Sequence, residues 1–128
     1  MIERIVLCVD DEAIILLALQ HRLRAALGEG YRCETARSGK DALEYLEGLE
    51  ASGKELSAVV SDWRMPDMNG DAFLRKVREV RPKARLILLT GYADREQVGS
   101  LESEIGLLAT FQKPCDTALL ARAILADA

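Results

Sequence analysis

One histidine and three cysteines are all that 128 residues offer to a soft metal, and Cys8, Cys33 and Cys115 share no CxxC spacing. That scarcity argues against a zinc site, which draws on clustered Cys and His ligands. The cysteines lie in or beside apolar segments and read as buried, reduced thiols. Lysines and arginines nowhere gather into a basic block, and the net charge is only -4. A nucleic-acid platform needs such a block for its phosphate contacts, so direct nucleic-acid binding is not expected. Long apolar runs are missing as well: the longest, Ala13 to Leu19, is far too short to cross a bilayer. The opening Met1-Ile-Glu-Arg-Ile lacks the charged-then-apolar layout of a signal peptide, and the expected location is cytoplasmic. No internal repeat, low-complexity tract or linker interrupts the chain, so residues 1–128 read as one domain.

What is present is a regular alternation of strand-like and helix-like segments. Arg4 to Val9 is a continuous apolar run rich in β-branched residues, the signature of a strand covered on both faces, and it ends at Asp10-Asp11-Glu12. From Ala13 to Leu27 apolar positions crowd one side and Gln20, His21, Arg22 and Arg24 the other, as in an amphipathic helix stopped by Gly28 and Gly30. Tyr31 to Ala36 alternates and reads as a strand near a sheet edge. Ser38 is placed to cap a helix carrying Ala42, Leu43, Leu46 and Leu49 at helical spacing. A third strand, from about Leu56 to Ser61, delivers Asp62 into the turn Met65-Pro-Asp-Met-Asn-Gly70. Asp71 begins a helix with Phe73, Leu74, Val77 and Val80 on its buried side. Arg85 to Thr90 forms a fourth strand. Asp94 can cap the next helix, weakened by Gly99 and Ser100 in its middle. Leu107 to Gln112 is the fifth strand, Lys113-Pro114 closes it, and Asp116 caps a final helix running through Ala126.

Five βα units imply an α/β fold with a doubly wound, five-stranded parallel sheet, since right-handed crossovers carry the five helices onto both faces. The economical strand order is flavodoxin-like, 2-1-3-4-5. That order puts Asp10, Asp11 and Asp62 in one crevice, with Thr90 and Lys113 ending the two neighbouring strands. Taken singly, Asp62 could merely cap its turn, and Asp10-Asp11 could merely start a helix. Taken together, three acids raise one another's pKa unless a cation neutralises them, and hard oxygen ligands suit Mg²⁺, or Mn²⁺ in its place. An aspartate can also act as a nucleophile toward phosphorus. Lys113, Thr90 and nearby backbone N–H groups would then compensate the new charge.

Asp10-Asp11, Asp62 with its Met-Pro-Asp-Met-Asn-Gly turn, Thr90-Gly91 and Lys113-Pro114, in that order and spacing, resemble the receiver domain of two-component response regulators across essentially the whole chain. The resemblance implies that Asp62 is the phosphoacceptor. It implies Mg²⁺ ligation by Asp11, Asp62 and the backbone carbonyl of Arg64, with Asp10 acting through a metal-bound water. Lys113 would pair with the phosphoryl group across a cis Lys113–Pro114 bond, and Thr90 would be the switch hydroxyl. The implied partners are a histidine kinase or phosphotransfer protein and a downstream effector on the face of the fourth helix, fifth strand and fifth helix, with room for a homodimer. One departure stands out: where receivers commonly carry Tyr or Phe, three residues before the lysine, this chain has Thr110. Phe111 should face the other side of the sheet as core, and Tyr92 is the candidate to take over part of the missing ring's role. The alternatives are a constitutive interaction module with a silent site and a phosphohydrolase working through an aspartyl phosphate. Against the latter, no Asp-x-Asp ends the first strand and no cap insertion is visible. The chain is either a stand-alone receiver or a piece of a longer regulator or hybrid kinase.

Overall fold

In the computed structural model, which describes residues 3–91 and 95–126, the chain folds as an uninterrupted β/α alternation. The elements are β1 (Arg4–Val9), α1 (Ala13–Leu27), β2 (Tyr31–Ala36), α2 (Gly39–Glu50), β3 (Glu55–Asp62), α3 (Gly70–Val80), β4 (Arg85–Thr90), α4 (Arg95–Ile105), β5 (Ala109–Gln112) and α5 (Thr117–Leu125). The strands are all parallel and ordered β2-β1-β3-β4-β5. β1 lies inside the sheet, between β2 and β3, and β2 at an edge, as the apolar run of one and the alternation of the other require.

Because successive side chains of a strand point to opposite faces, the sheet supports two separate cores. Ile5, Leu7, Val59 and Leu88 pack with α2, α3 and α4 on one face. Val6, Cys8, Val60 and Leu89 pack with α1 and α5 on the other. Both faces being covered, the C-terminal ends of the strands are the natural place for polar groups, and the topological switch beside β1 opens the crevice there.

Helix starts follow local chemistry. Ser38 Oγ accepts from the Asp41 amide at 3.0 Å, and Asp116 Oδ1 accepts from the Ala118 amide at 2.9 Å. α3 begins at Gly70, one residue before Asp71, with Asn69 at the cap position and no side-chain bond from it. β5 is shorter than the apolar run Leu107–Gln112: residues 107 and 108 approach the sheet, with the Leu108 amide on the Leu86 carbonyl at 2.8 Å, and the strand proper begins at Ala109. Asp94 lies outside the described residues.

Three assignments of buried residues are corrected. Val80 is 61% exposed: it is the last residue of α3, and the buried side of the helix ends at Val77. On α1 only Leu16, Leu23 and Leu27 are buried, while Ile14 and Leu17 are 85% and 63% exposed: the apolar arc is wider than the strip the sheet can cover. Cys8 and Cys33 are fully buried, but Cys115 is only half-buried, its Sγ turned toward the Asp116 carbonyl. All three thiols are free. No helix among the described residues is long and apolar enough to cross a membrane.

Candidate functional site

The end of β1 supplies Asp10, 2% exposed, and the half-buried Asp11. The end of β3 supplies Asp62, 6% exposed. Since β1 and β3 pair directly, with Val9 opposite Ser61, the acids emerge side by side. One carboxylate oxygen from each of Asp10, Asp11 and Asp62 lies within 4.8 Å of the others. Such a set of hard oxygens matches the ligand preference of Mg²⁺ or Mn²⁺.

Lys113 enters from β5. Its Nζ sits 3.0 Å from Asp62 Oδ1 and 3.3 Å from Asp10 Oδ2, one ammonium between two buried carboxylates. Burial pushes the Asp62 carboxyl above its ordinary range, and the Lys113 bond only partly reverses that. Burial works against the Lys113 charge too, but its bonds to Asp62 and Asp10 prevail and hold its pKa above normal. The pair is thus an ammonium kept charged beside a carboxylate that gains from added positive charge.

Thr90, 3% exposed, ends β4 next to this pair, and its carbonyl accepts from the Lys113 amide at 2.9 Å. The Lys113–Pro114 bond is cis, as expected. Arg64 follows Asp62 by two residues in the β3–α3 loop, with its side chain exposed. Trp63 is buried in the α2/α3/α4 core and its amide reaches across to the Leu89 carbonyl at 3.0 Å. His21 is exposed. Asp10 does not cap α1, whose cap position is Glu12; its Oδ1 accepts from the Glu12 amide at 3.0 Å just before the helix, and its other oxygen faces Lys113.

The β3–α3 loop returns so tightly that Gly70 is required. The Gly70 amide meets the Trp63 carbonyl at 2.6 Å, and a Cβ at Gly70 would lie 2.5 Å from the Asp62 carbonyl oxygen. No side chain fits there without moving the end of β3 that carries Asp62.

At the position of the missing ring, the Thr110 hydroxyl donates to Glu102 Oε1 of α4 at 3.1 Å. Between β4, β5 and α4 lies an open cleft of about 280 Å³ bordered by Thr90, Val98, Gly99, Glu102, Thr110 and Gln112. Phe111 packs partly buried against the α1/α5 core, on the opposite face from Thr110, as alternation predicts. Tyr92 lies outside the described residues.

Three features escaped sequence reasoning. Asp67, read only as a turn residue, puts its carboxylate on the Gly39 and Lys40 amides at 3.1 and 2.8 Å. Although desolvation opposes it, those bonds hold the Asp67 carboxyl below its ordinary range. Arg37 Nη2 donates to the Asp11 carbonyl at 3.3 Å. A third feature is an apolar groove of about 410 Å³ running from Ile15 and Leu19 of α1 to Lys113, Pro114 and Cys115. The first two join residues more than 25 positions apart, and a turn-type Asp carries no mark of such a partner.

Comparison with known proteins agrees with this geometry. Residues 6–125 match the family model described as "Response regulator receiver domain". Over 89 residues, 70% of the chain, it is 39% identical to the sensor kinase CckA of Brucella abortus, and over 124 residues, 94% of the chain, 33% identical to the DNA-binding transcriptional regulator NtrC of Escherichia coli. These alignments span only 9% and 24% of those proteins. The crystal structure of a response regulator receiver domain protein from Clostridium thermocellum superposes with a TM-score of 0.83 at 26% identity, covering 94% of this chain and 90% of that one.

Proposed function

The chain belongs to the response regulator receiver domains, and from that membership we propose that it is a phosphoacceptor switch in which Asp62 takes a phosphoryl group from the phosphohistidine of a kinase or phosphotransfer protein. The observation that carries this reading is the convergence of Asp10, Asp11 and Asp62 on one point with Lys113 between two of them. In the transfer, an Asp62 carboxylate oxygen forms the new P–O bond while the donor's P–N bond breaks and its electron pair returns to the imidazole. Asp62 must be ionised to attack, and Lys113 supports that state from 3.0 Å.

Asp10, Asp11 and Asp62, with the backbone carbonyl of Arg64, would hold Mg²⁺ or Mn²⁺, whose charge screens the acids and the oxygens of the transferred group. Lys113 compensates the acyl phosphate from the other side, and the Thr90 hydroxyl at the adjacent strand end donates to it. Later attack by water on phosphorus returns the free carboxylate, so the domain contributes to its own resetting.

Residues 1–128 act as one receiver domain in the cytoplasm. The apolar groove from Ile15 to Lys113, with the exposed Ile14 and Leu17 nearby, is the surface suited to the phosphoryl donor. The output face is that of α4, β5 and α5, where an effector or a second copy would dock, and the cleft between Thr90 and Thr110 leads to it. Thr110 in place of a ring favours a second reading, a module that binds partners independently of phosphorylation. One experiment separates them. With Mg²⁺ and acetyl phosphate, the intact protein gains the mass of one phosphoryl group and Asp62→Asn gains none; no gain with any donor, nor any spectral response to beryllofluoride, establishes the second reading.

A further inference from the structure

We propose that Asp67 is a positioning residue for the acid site, clasping the β3–α3 loop to the N-terminus of α2 and so fixing the backbone that follows Asp62. The proposal rests on the phosphoacceptor reading above.

The first amides of a helix have no partner within it. In α2 the Asp41 amide is satisfied by Ser38 Oγ, from the same segment. The Gly39 and Lys40 amides are instead satisfied from 28 and 27 residues away, each by a separate Asp67 oxygen. A carboxylate at a helix N-terminus is favoured both by charge-assisted bonding and by the helix dipole. An apolar contact reinforces the clasp: Met68 lies directly on Gly39, where a Cβ would come within 2.6 Å of Met68 Cγ.

The loop itself is held unevenly. Its base is closed by the Gly70 amide on the Trp63 carbonyl and its inner half by the buried Met65. Pro66, Asp67 and Asn69 are exposed, and Asp67 supplies the bonds that tie this outer half to the rest of the fold. On the other side of the same β2–α2 junction, Arg37 grips the Asp11 carbonyl. The entry to α2, which contributes no acid, therefore spans the two loops that do. Its hold sets how far the Arg64 carbonyl stands from Asp11, the distance a shared ion must satisfy.

The test compares wild type, Asp67→Ala, Asp67→Asn and Ser38→Ala. The Ser38 variant removes a bond at the same helix end without touching the β3–α3 loop, and so controls for α2 stability alone. Mg²⁺ affinity is read from the fluorescence of Trp63, the only tryptophan, and hydrogen exchange of the loop amides is read without metal. Asp67→Ala is expected to weaken Mg²⁺ binding about tenfold, the ordinary cost of losing a residue that orients a ligand, with Ser38→Ala staying within about twofold. Asp67→Asn, keeping one acceptor oxygen, falls between, and loop amides exchange faster in both Asp67 variants before any metal is added. Unchanged affinity and exchange in both Asp67 variants overturns the proposal, as does an equal loss in Ser38→Ala. A wild type that binds no Mg²⁺ and accepts no phosphoryl group instead overturns the phosphoacceptor reading, and the role of Asp67 with it.

Discussion

Cys8 shows how completely a strand interior can change a side chain. It is fully buried on β1, and desolvation, with Cys33 beside it adding to the effect, raises its thiol well above the ordinary value of 9.0. Below pH 9 the proton is bound in both folded and unfolded chains, and this contribution to stability is fully present. Above it the unfolded chain releases the proton while the folded chain keeps it, so stability falls by about 1.4 kcal/mol per pH unit from this group. Urea unfolding between pH 8 and 10.5 should therefore show a steep alkaline decline in wild type and a shallower one in Cys8→Ala. Gly70 is decided at the same scale: its backbone turns within the space a methyl group would need.

Among the elements, α4 is tied to α3 at its C-terminal end. Arg78 of α3 donates Nε to the Ile105 carbonyl at 2.8 Å and Nη2 to the Gly106 carbonyl at 3.2 Å, and Arg75 pairs with Glu104. Nearer the acid site, Thr110 on Glu102 ties α4 to β5 beside the open cleft. An exposed hydrogen bond of this kind contributes about 0.7 kcal/mol, roughly a factor of three in a local opening equilibrium. Thr110→Val should accordingly speed hydrogen exchange at residues 98–102 about threefold while leaving 103–106 protected. Equal acceleration along the whole helix would show that the bond does not act locally. The helix whose glycine weakens it is thus supported at its C-terminal end from α3.

For the whole molecule, folding brings like charges together. Burial already disfavours the ionised Asp62, and Asp10 adds repulsion, so at neutral pH this carboxylate costs stability that Lys113 only partly offsets. Asp62→Asn should raise Tm in metal-free buffer. Mg²⁺ at a hundred times its dissociation constant should stabilise wild type by about 2.7 kcal/mol, a rise in Tm of roughly 10 °C, and Asp62→Asn far less. Differential scanning calorimetry with and without EDTA measures both. A wild-type Tm indifferent to Mg²⁺ would count against a metal at this site.

Much of this was legible in the chain itself. Continuous apolar runs separated by amphipathic stretches define a covered parallel sheet, and an acid, hydroxyl or lysine ending each run defines a polar crevice at one end of it. Periodicity reports which way a side chain points relative to its own element, and that was enough to bring Asp10, Asp11, Asp62, Thr90 and Lys113 together. It does not report how much of an apolar face a neighbour will cover, so Val80, expected on the buried side of its helix, stands in solvent, as do Ile14 and Leu17 of the apolar arc of α1. Nor does it reveal bonds between different elements and loops. The grip of Asp67 on α2, of Arg37 on Asp11 and of Thr110 on Glu102 depends on the distance between elements after packing, and only the tertiary structure could decide it.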